Sequence, residues 1–421
     1  MRRKLKIICI LFFCIIFGYA AGCFTYLSRF PSEIRLTEFT THRLKIGLPF
    51  SATLSETAAV SAVGSGRAFT IKTEGHGTAE MTIGAFGLPF RRITLDVVPE
   101  VEVVPLGLAI GVRINTDGVM ILGVGSFLCS EGETVRPSQN LLQAGDLIIF
   151  ADETEISNKE ILSEFIAASR GDVVLTVNRG GNEIKITLRP EIAAKDDVRR
   201  IGVWVRDSTK GIGTMTFFNP ATGEYGALGH GILDVDTKTL LSVKSGTIMP
   251  STVISVNKGV RGVPGELEGQ VDAQKLLGTI KTNCAHGIFG EISDDLREKY
   301  SEKTRYPIAR RVQINEGAAT ILTNVNGTDV KEYEILIESV NLNAHDETKG
   351  IVIRITDPEL LRLTGGIVQG MSGSPILQDG RIIGAITHVF VQDPTKGYAI
   401  FMESMIKFCP KAYSPVPVHI M

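Results

Sequence analysis

Gly370-Met371-Ser372-Gly373-Ser374-Pro375 decides the reading of this 421-residue chain, together with the apolar stretch from Ile376 to Thr387 that follows it. A serine hydroxyl is a poor nucleophile until a base takes its proton. The oxyanion formed by its attack needs hydrogen-bond donors already aimed at it. Gly370, two residues ahead of Ser372, lets the backbone turn tightly, so that the N–H groups of Gly370 and Ser372 can point into one oxyanion hole. Pro375 ends the turn. Ile376-Leu377, Asp379-Gly380 and Arg381–Thr387 then read as strand, hairpin turn and strand. The competing reading is a glycine-rich turn whose serine bonds only backbone, and the proline with its hairpin weighs against it.

Such a serine needs an imidazole within reach. His419 lies near the terminus, His42 and His76 lie early in the chain, and His286 and His345 sit in loop-like surroundings. His388, on the strand after the hairpin, can frame a site. His230, at the end of Tyr225-Gly226-Ala227-Leu228-Gly229 and followed by Gly231, has the context of a base. An acidic third member would hold the imidazole's tautomer. Asp234, Asp236 and Asp357 are candidates, and spacing does not choose among them. On residue physics alone Asp357, ahead of Pro358-Glu359-Leu360-Leu361, reads as a helix N-cap. Cys284-Ala285-His286 invites a cysteine-nucleophile reading, but a structural cysteine beside an unrelated histidine is the simpler one.

A formal net charge of −2 leaves no basic footprint, and no nucleic-acid motif is present, so that partner class is excluded. No His-Glu-x-x-His motif and no phosphate-binding glycine loop occurs, and neither a metal nor a cofactor is expected. Three cysteines lie in the N-terminal apolar segment and three are scattered beyond it, which gives no disulfide framework.

Arg2, Arg3, Lys4 and Lys6 precede an apolar run from Ile7 to about Leu27. About 20 apolar residues span a bilayer. Charges on the N-terminal side place everything downstream on the far side of the membrane. Residues 1–33 are therefore expected to be a membrane anchor, with a cleaved signal or a lipoprotein-like Ala20-Ala21-Gly22-Cys23 site as alternatives. Residues 34–103 alternate apolar and polar positions between glycine turns and read as a small all-β module. Lys195–Arg200 reads as a solvated linker. The remainder to residue 421 reads as mostly strands, with short helices near Asp294–Lys303 and Met402–Phe408.

Two resemblances add to this. The Gly-x-Ser-Gly-x-Pro turn with its hairpin resembles the nucleophile segment of chymotrypsin-like proteases, which implies a β-barrel peptidase domain over 195–421. Residues 104–192, with Ala144-Gly145-Asp146-Leu147-Ile148, a helix over Ile161–Ser169 and a closing hairpin, resemble a PDZ domain of the bacterial protease type. In a PDZ domain an extended peptide adds as a strand between a strand and a helix. That resemblance makes Leu106-Gly107-Leu108-Ala109-Ile110-Gly111 a loop offering amides to a terminal carboxylate. The expected fold class is thus mostly β and multidomain: anchor helix, small β module, PDZ-like α+β domain and chymotrypsin-like barrel domain.

Four stretches go further: Gly211–Phe217, Tyr225–His230, Thr364–Ile376 and Gly384–Tyr398. With the domain order, they resemble the stage IV sporulation protein B family of signalling serine peptidases. The resemblance implies Ser372 as nucleophile, His230 as general base and Asp357 as the acid. It implies an exported, membrane-anchored endopeptidase of the space between forespore and mother cell. Its substrate would be a membrane-bound regulator of an intramembrane metalloprotease, cleaved to release sigma-factor processing, and it would cut itself and use its PDZ domain on itself and on targets. Gly231 departs from the bulkier residue expected there. The alternatives are a non-catalytic PDZ adaptor and a general envelope quality-control protease, although proteases of the latter kind place the PDZ domain after the barrel.

Overall fold

The protein is described from a computed structural model covering residues 2–28, 30–63, 68–409 and 411. Twelve strands build two barrels. The first uses β1 (Glu102–Val124), β2 (Val203–Phe218), β3 (Glu224–Ala227), β4 (Ser245–Asn257), β5 (Gly278–Cys284) and β6 (Gly287–Ile292). β1 pairs with both β2 and β4, so the antiparallel order β1-β2-β3-β6-β5-β4 returns to its start. The second uses β7 (Gly317–Asn326), β8 (Asp329–Val340), β9 (Ile351–Ile355), β10 (Pro375–Gln378), β11 (Arg381–Phe390) and β12 (Asp393–Phe401), closed in the order β7-β8-β9-β12-β11-β10. The two orders are the same, strand for strand. Closure leaves no ladder edge unpaired. The closed six-stranded barrel is consistent with the chymotrypsin-like domain expected from the nucleophile hairpin.

Alternation explains the cores. On β8 the buried residues Tyr333, Ile335 and Ile337 fall at every second position. They meet Ile321, Ile353, Ile376 and Ile386 inside the second barrel. Val104, Ile110, Ile114, Met215, Tyr225 and Ile288 fill the first. Phe217 and Phe289 of the first barrel pack with Ile382, Ile400 and Met405 in the seam between the two. Each such aliphatic or aromatic burial contributes roughly 1.5–3 kcal/mol.

The strand pairing cuts across the expected 104–192 unit. β1 runs without interruption from the first barrel into an inserted α+β unit, where its far end pairs with Leu147–Ala151; that strand pairs with Val173–Arg179, which pairs in turn with Asn182–Leu188. A helix, Lys159–Ala168, packs on this sheet through Leu162 and Ile166. Leu106–Gly111, expected as a carboxylate-binding loop, is instead barrel strand. Gly111 lies between Ile212 of β2 and Met249 of β4, and Ile110 between Gly213 and Pro250. Ile110 and Gly111 are paired on both sides and Leu108 and Ala109 with β2, because the apolar, glycine-spaced run meets apolar strands. Lys195–Arg200 is no free linker either: Arg199–Arg200 pairs with Glu191–Ile192.

Ahead of the barrels, four strands (Glu33–Thr37, Ser51–Ser55, Gly77–Ala85, Leu88–Val98) and three more (Thr41–Lys45, Val60–Val63, Ala68–Thr73) form the expected all-β module, with Leu36, Ile71, Met81, Ile83, Ile93 and Leu95 fully buried. Buried Arg310 joins it to the barrels, donating to the Pro99 carbonyl at 2.8 Å and to Thr37 Oγ1 at 3.3 Å. Arg2–Ser28 forms one helix. Over the described residues no helix is long and apolar enough to cross a membrane. The side chains of Arg2–Cys9, Leu11–Phe13, Ile16 and Ala20, part of the run on which the anchor expectation rests, lie outside that description.

Candidate active site

His230 sits in the β3–β4 connection of the first barrel and Ser372 in the β9–β10 connection of the second. Since the barrels share one strand order, equivalent loops of each supply the two groups.

Barrel one clamps the serine turn. Thr214 of β2, 1% exposed, donates its amide to the Ser372 carbonyl at 3.0 Å and its hydroxyl to the Gly370 carbonyl at 2.7 Å. From barrel two, the Ile386 carbonyl accepts the Gly373 amide at 2.8 Å. Gly373 must be glycine: φ is +98°, and a Cβ would stand 2.1 Å from the Thr214 carbonyl oxygen. Within the turn the amides of Met371 and Ser374 bond the carbonyls of Val368 and Met371. The amides of Gly370 and Ser372 have no protein acceptor among the described residues. They are the two donors expected from the sequence to face an oxyanion, and Gly370 holds φ +98° with Leu267 packed beneath it.

The Ser372 hydroxyl donates to the carbonyl of Thr387, 2.8 Å away. Gly229, beside His230, lies against the same residue: a Cβ there would stand 3.0 Å from Thr387 Cγ2. The His230 ring lies 5.2 Å from that of His388, the next residue along β11. Thr387 and His388 are thus flanked by serine and imidazole. The pair is brought to one place, though no hydrogen bond joins them.

His230 Nδ1 is 2.9 Å from the Gly231 carbonyl oxygen. A carbonyl only accepts, so Nδ1 carries the hydrogen and Nε2 is left with its lone pair. Burial pushes the His230 pKa below its ordinary value, partly offset by that hydrogen bond. At neutral pH the ring is therefore uncharged and able to take a proton. Burial, then the charge of His230 and that of Lys349, lowers His388 to about 4.

None of the three candidate carboxylates bonds the His230 ring. Asp357 Oδ1 accepts the Leu360 amide at 2.9 Å as N-cap of the helix Pro358–Thr364, and Oδ2 faces the Glu334 amide. Asp234, fully buried, accepts from the amides of Asp236 and Thr237 and from Arg206. Asp236 pairs with Arg206 at 2.9 Å. The tautomer-fixing bond expected of an acid is made here by the Gly231 backbone.

Cys284 and His286 also lie together, with Glu347. The neighbouring Cys284 thiol and then the Glu347 carboxylate, 2.9 Å from Nε2, raise His286 to about 9. The His286 ring is taken up by Glu347 at Nε2, and its Nδ1 has no hydrogen-bond partner among the described residues, so ring and thiol are not joined as a catalytic pair. The Glu347 carboxylate is shared with Arg311, which ties the barrels.

Thr214 and Thr387 escaped notice as site residues. Both lie in apolar strand stretches, and a lone threonine there signals a backbone clamp only once the facing chain is known.

Residues 197–406 match the family described as SpoIVB peptidase S55. No curated protein matches the chain. The peptidase region of this chain belongs to the SpoIVB peptidase S55 family, and the protein is a serine peptidase.

Proposed function

We propose that the protein is an exported, membrane-anchored signalling endopeptidase of endospore formation, with Ser372 as nucleophile and His230 as base. The observation that carries the chemistry is the pair of unclaimed amides, Gly370 and Ser372, beside a neutral imidazole with Nε2 free. The Ser372 hydroxyl turns from Thr387 to His230 Nε2, which takes its proton as Oγ bonds the scissile carbonyl carbon. The oxyanion is held by the two amides. The imidazolium then returns the proton to the leaving amine, and water, deprotonated by the same ring, hydrolyses the acyl-enzyme. The inserted unit acts as the PDZ-type peptide-docking element. Its groove of about 380 Å³ lies between the helix Lys159–Ala168 and Val203–Val205, with Phe127, Leu162 and Ile166 among its walls. A strand edge beside a helix is the geometry of β-augmentation. The family resemblance supplies the rest: a membrane regulator of an intramembrane protease as substrate, self-cleavage, and the helix Arg2–Ser28 as anchor.

Comparing the full chain with Ser372→Ala for self-cleavage and for labelling by a fluorophosphonate tests the enzymatic core. Wild type is expected to be labelled and trimmed, the variant neither. Identical fragments and labelling would overturn it.

A further inference from the structure

The loop that follows His230 is held from the inserted unit's side. Asn283 of β5 grips it at Ile232 and Leu241, accepting the Ile232 amide at 2.8 Å and donating to both carbonyls at 2.9 Å. On the other side Leu241 is buried against Met120 and Leu147 of the inserted unit. Asp234, with no exposed surface, gathers the loop through the amides of Asp236 and Thr237. Its remaining oxygen takes the Arg206 guanidinium at 2.7 Å. Arg206 lies on β2 directly after Val203–Val205, the strand that lines the inserted unit's groove, and is paired with Met120. The next residue, Asp207, accepts the amide of Lys159 at 3.0 Å at the start of the groove helix. Adjacent side chains on one strand therefore brace the groove's helix and the base's loop.

We propose that Arg206, through Asp234, is a positioning residue for the base. It sets the His230 loop from the inserted unit, so that the groove strand and the reaction centre move as one piece. The bond is charge-assisted, and its carboxylate has no access to water as a substitute partner. Loss of the guanidinium lets the loop shift, and a misplacement of about 1 Å costs on the order of 10²-fold in rate. The inference rests on the assignment of His230 as base.

The test is saturation kinetics of fluorophosphonate labelling at Ser372 in the full chain, which separates the limiting rate of acylation from probe affinity. Arg206→Gln is expected to lower the limiting rate at least tenfold with affinity changed less than threefold, and Arg206→Lys to recover part of it. If Arg206→Gln fails to fold, Arg206→Gln/Asp234→Asn, which leaves no unpaired buried charge, takes its place with the same expected loss. A limiting rate within twofold of wild type, a change confined to affinity, or a lysine variant as slow as glutamine would overturn the proposal. His230→Ala distinguishes the two failures. If His230 is not the base, that variant labels normally. If only the coupling is wrong, it stays slow while Arg206→Gln is fast.

Discussion

Ser372 Oγ donates to the carbonyl oxygen of Thr387 at 2.8 Å and so turns its hydrogen toward a group that cannot take it away. A carbonyl oxygen is a parking position for the hydroxyl, while His230, its ring 5.2 Å from that of His388, holds its hydrogen on Nδ1 and keeps a lone pair on Nε2. With Ser372 as the proposed nucleophile, the first step of the reaction is a rotation of the serine side chain.

As the proposed base, His230 must be uncharged to accept that proton, and burial lowers its pKa. The rate of Ser372 acylation is therefore expected to fall with acidification through a midpoint below the ordinary histidine value of about 6.5. His230→Ala is expected to abolish this limb and to slow acylation on the order of 10²–10⁴-fold. Stopped-time labelling across pH reads both.

Gly370→Ala places a side chain at φ +98° and 3.0–3.1 Å from Leu267 atoms. The turn must shift, and with it one of the two unclaimed amides. Loss of an aimed donor lowers turnover about 10²–10³-fold. Turnover is expected to drop by that order while the melting temperature changes little by comparison.

Asp357→Ala removes the N-cap of the helix Pro358–Thr364 and is expected to lower stability by about 1 kcal/mol. Asp357→Asn keeps the cap and is expected to keep the melting temperature. Measured side by side, the asparagine variant isolates the charge: lost activity at unchanged stability is the outcome the family resemblance implies.

The His286–Glu347 contact gives an alkaline dependence. His286 is raised to about 9, so its stabilising charge is fully present below about 6.5 and is lost as pH rises through about 9. The unfolding free energy from denaturant titrations is expected to fall between pH 7 and pH 10, by an amount on the order of 1–3 kcal/mol. His286→Gln is expected to flatten this difference.

A fragment of residues 195–421 lacks β1, which pairs with both β2 and β4. It is expected to remain unfolded or to aggregate through those two edges. A fragment of residues 100–421 is expected to give a cooperative melt. Circular dichroism of both fragments checks this.

Local signals were the legible ones. The turn at Ser372, the hairpin after it, the glycine-flanked His230 and the Asp357 cap are each specified by neighbours a few residues away. What could not be read was long-range pairing. Leu106–Gly111 has the apolar, glycine-spaced composition of a loop before a strand, yet its partners lie more than 100 residues downstream in β2 and β4. The same holds for Thr214, which meets Ser372 across 158 positions (372 − 214). The identity of a third catalytic member stayed open because the carboxylates near His230 in sequence fold onto Arg206 instead.

Equivalent loops of two successive barrels carry the two groups proposed to react, and the chain finishes the first barrel at Ile292 before it starts the second at Gly317. A polypeptide synthesised from its N-terminus thus owns an imidazole long before it owns the alcohol. Under the proposed assignment a half-made molecule lacks its nucleophile, and competence waits for the second sheet to close.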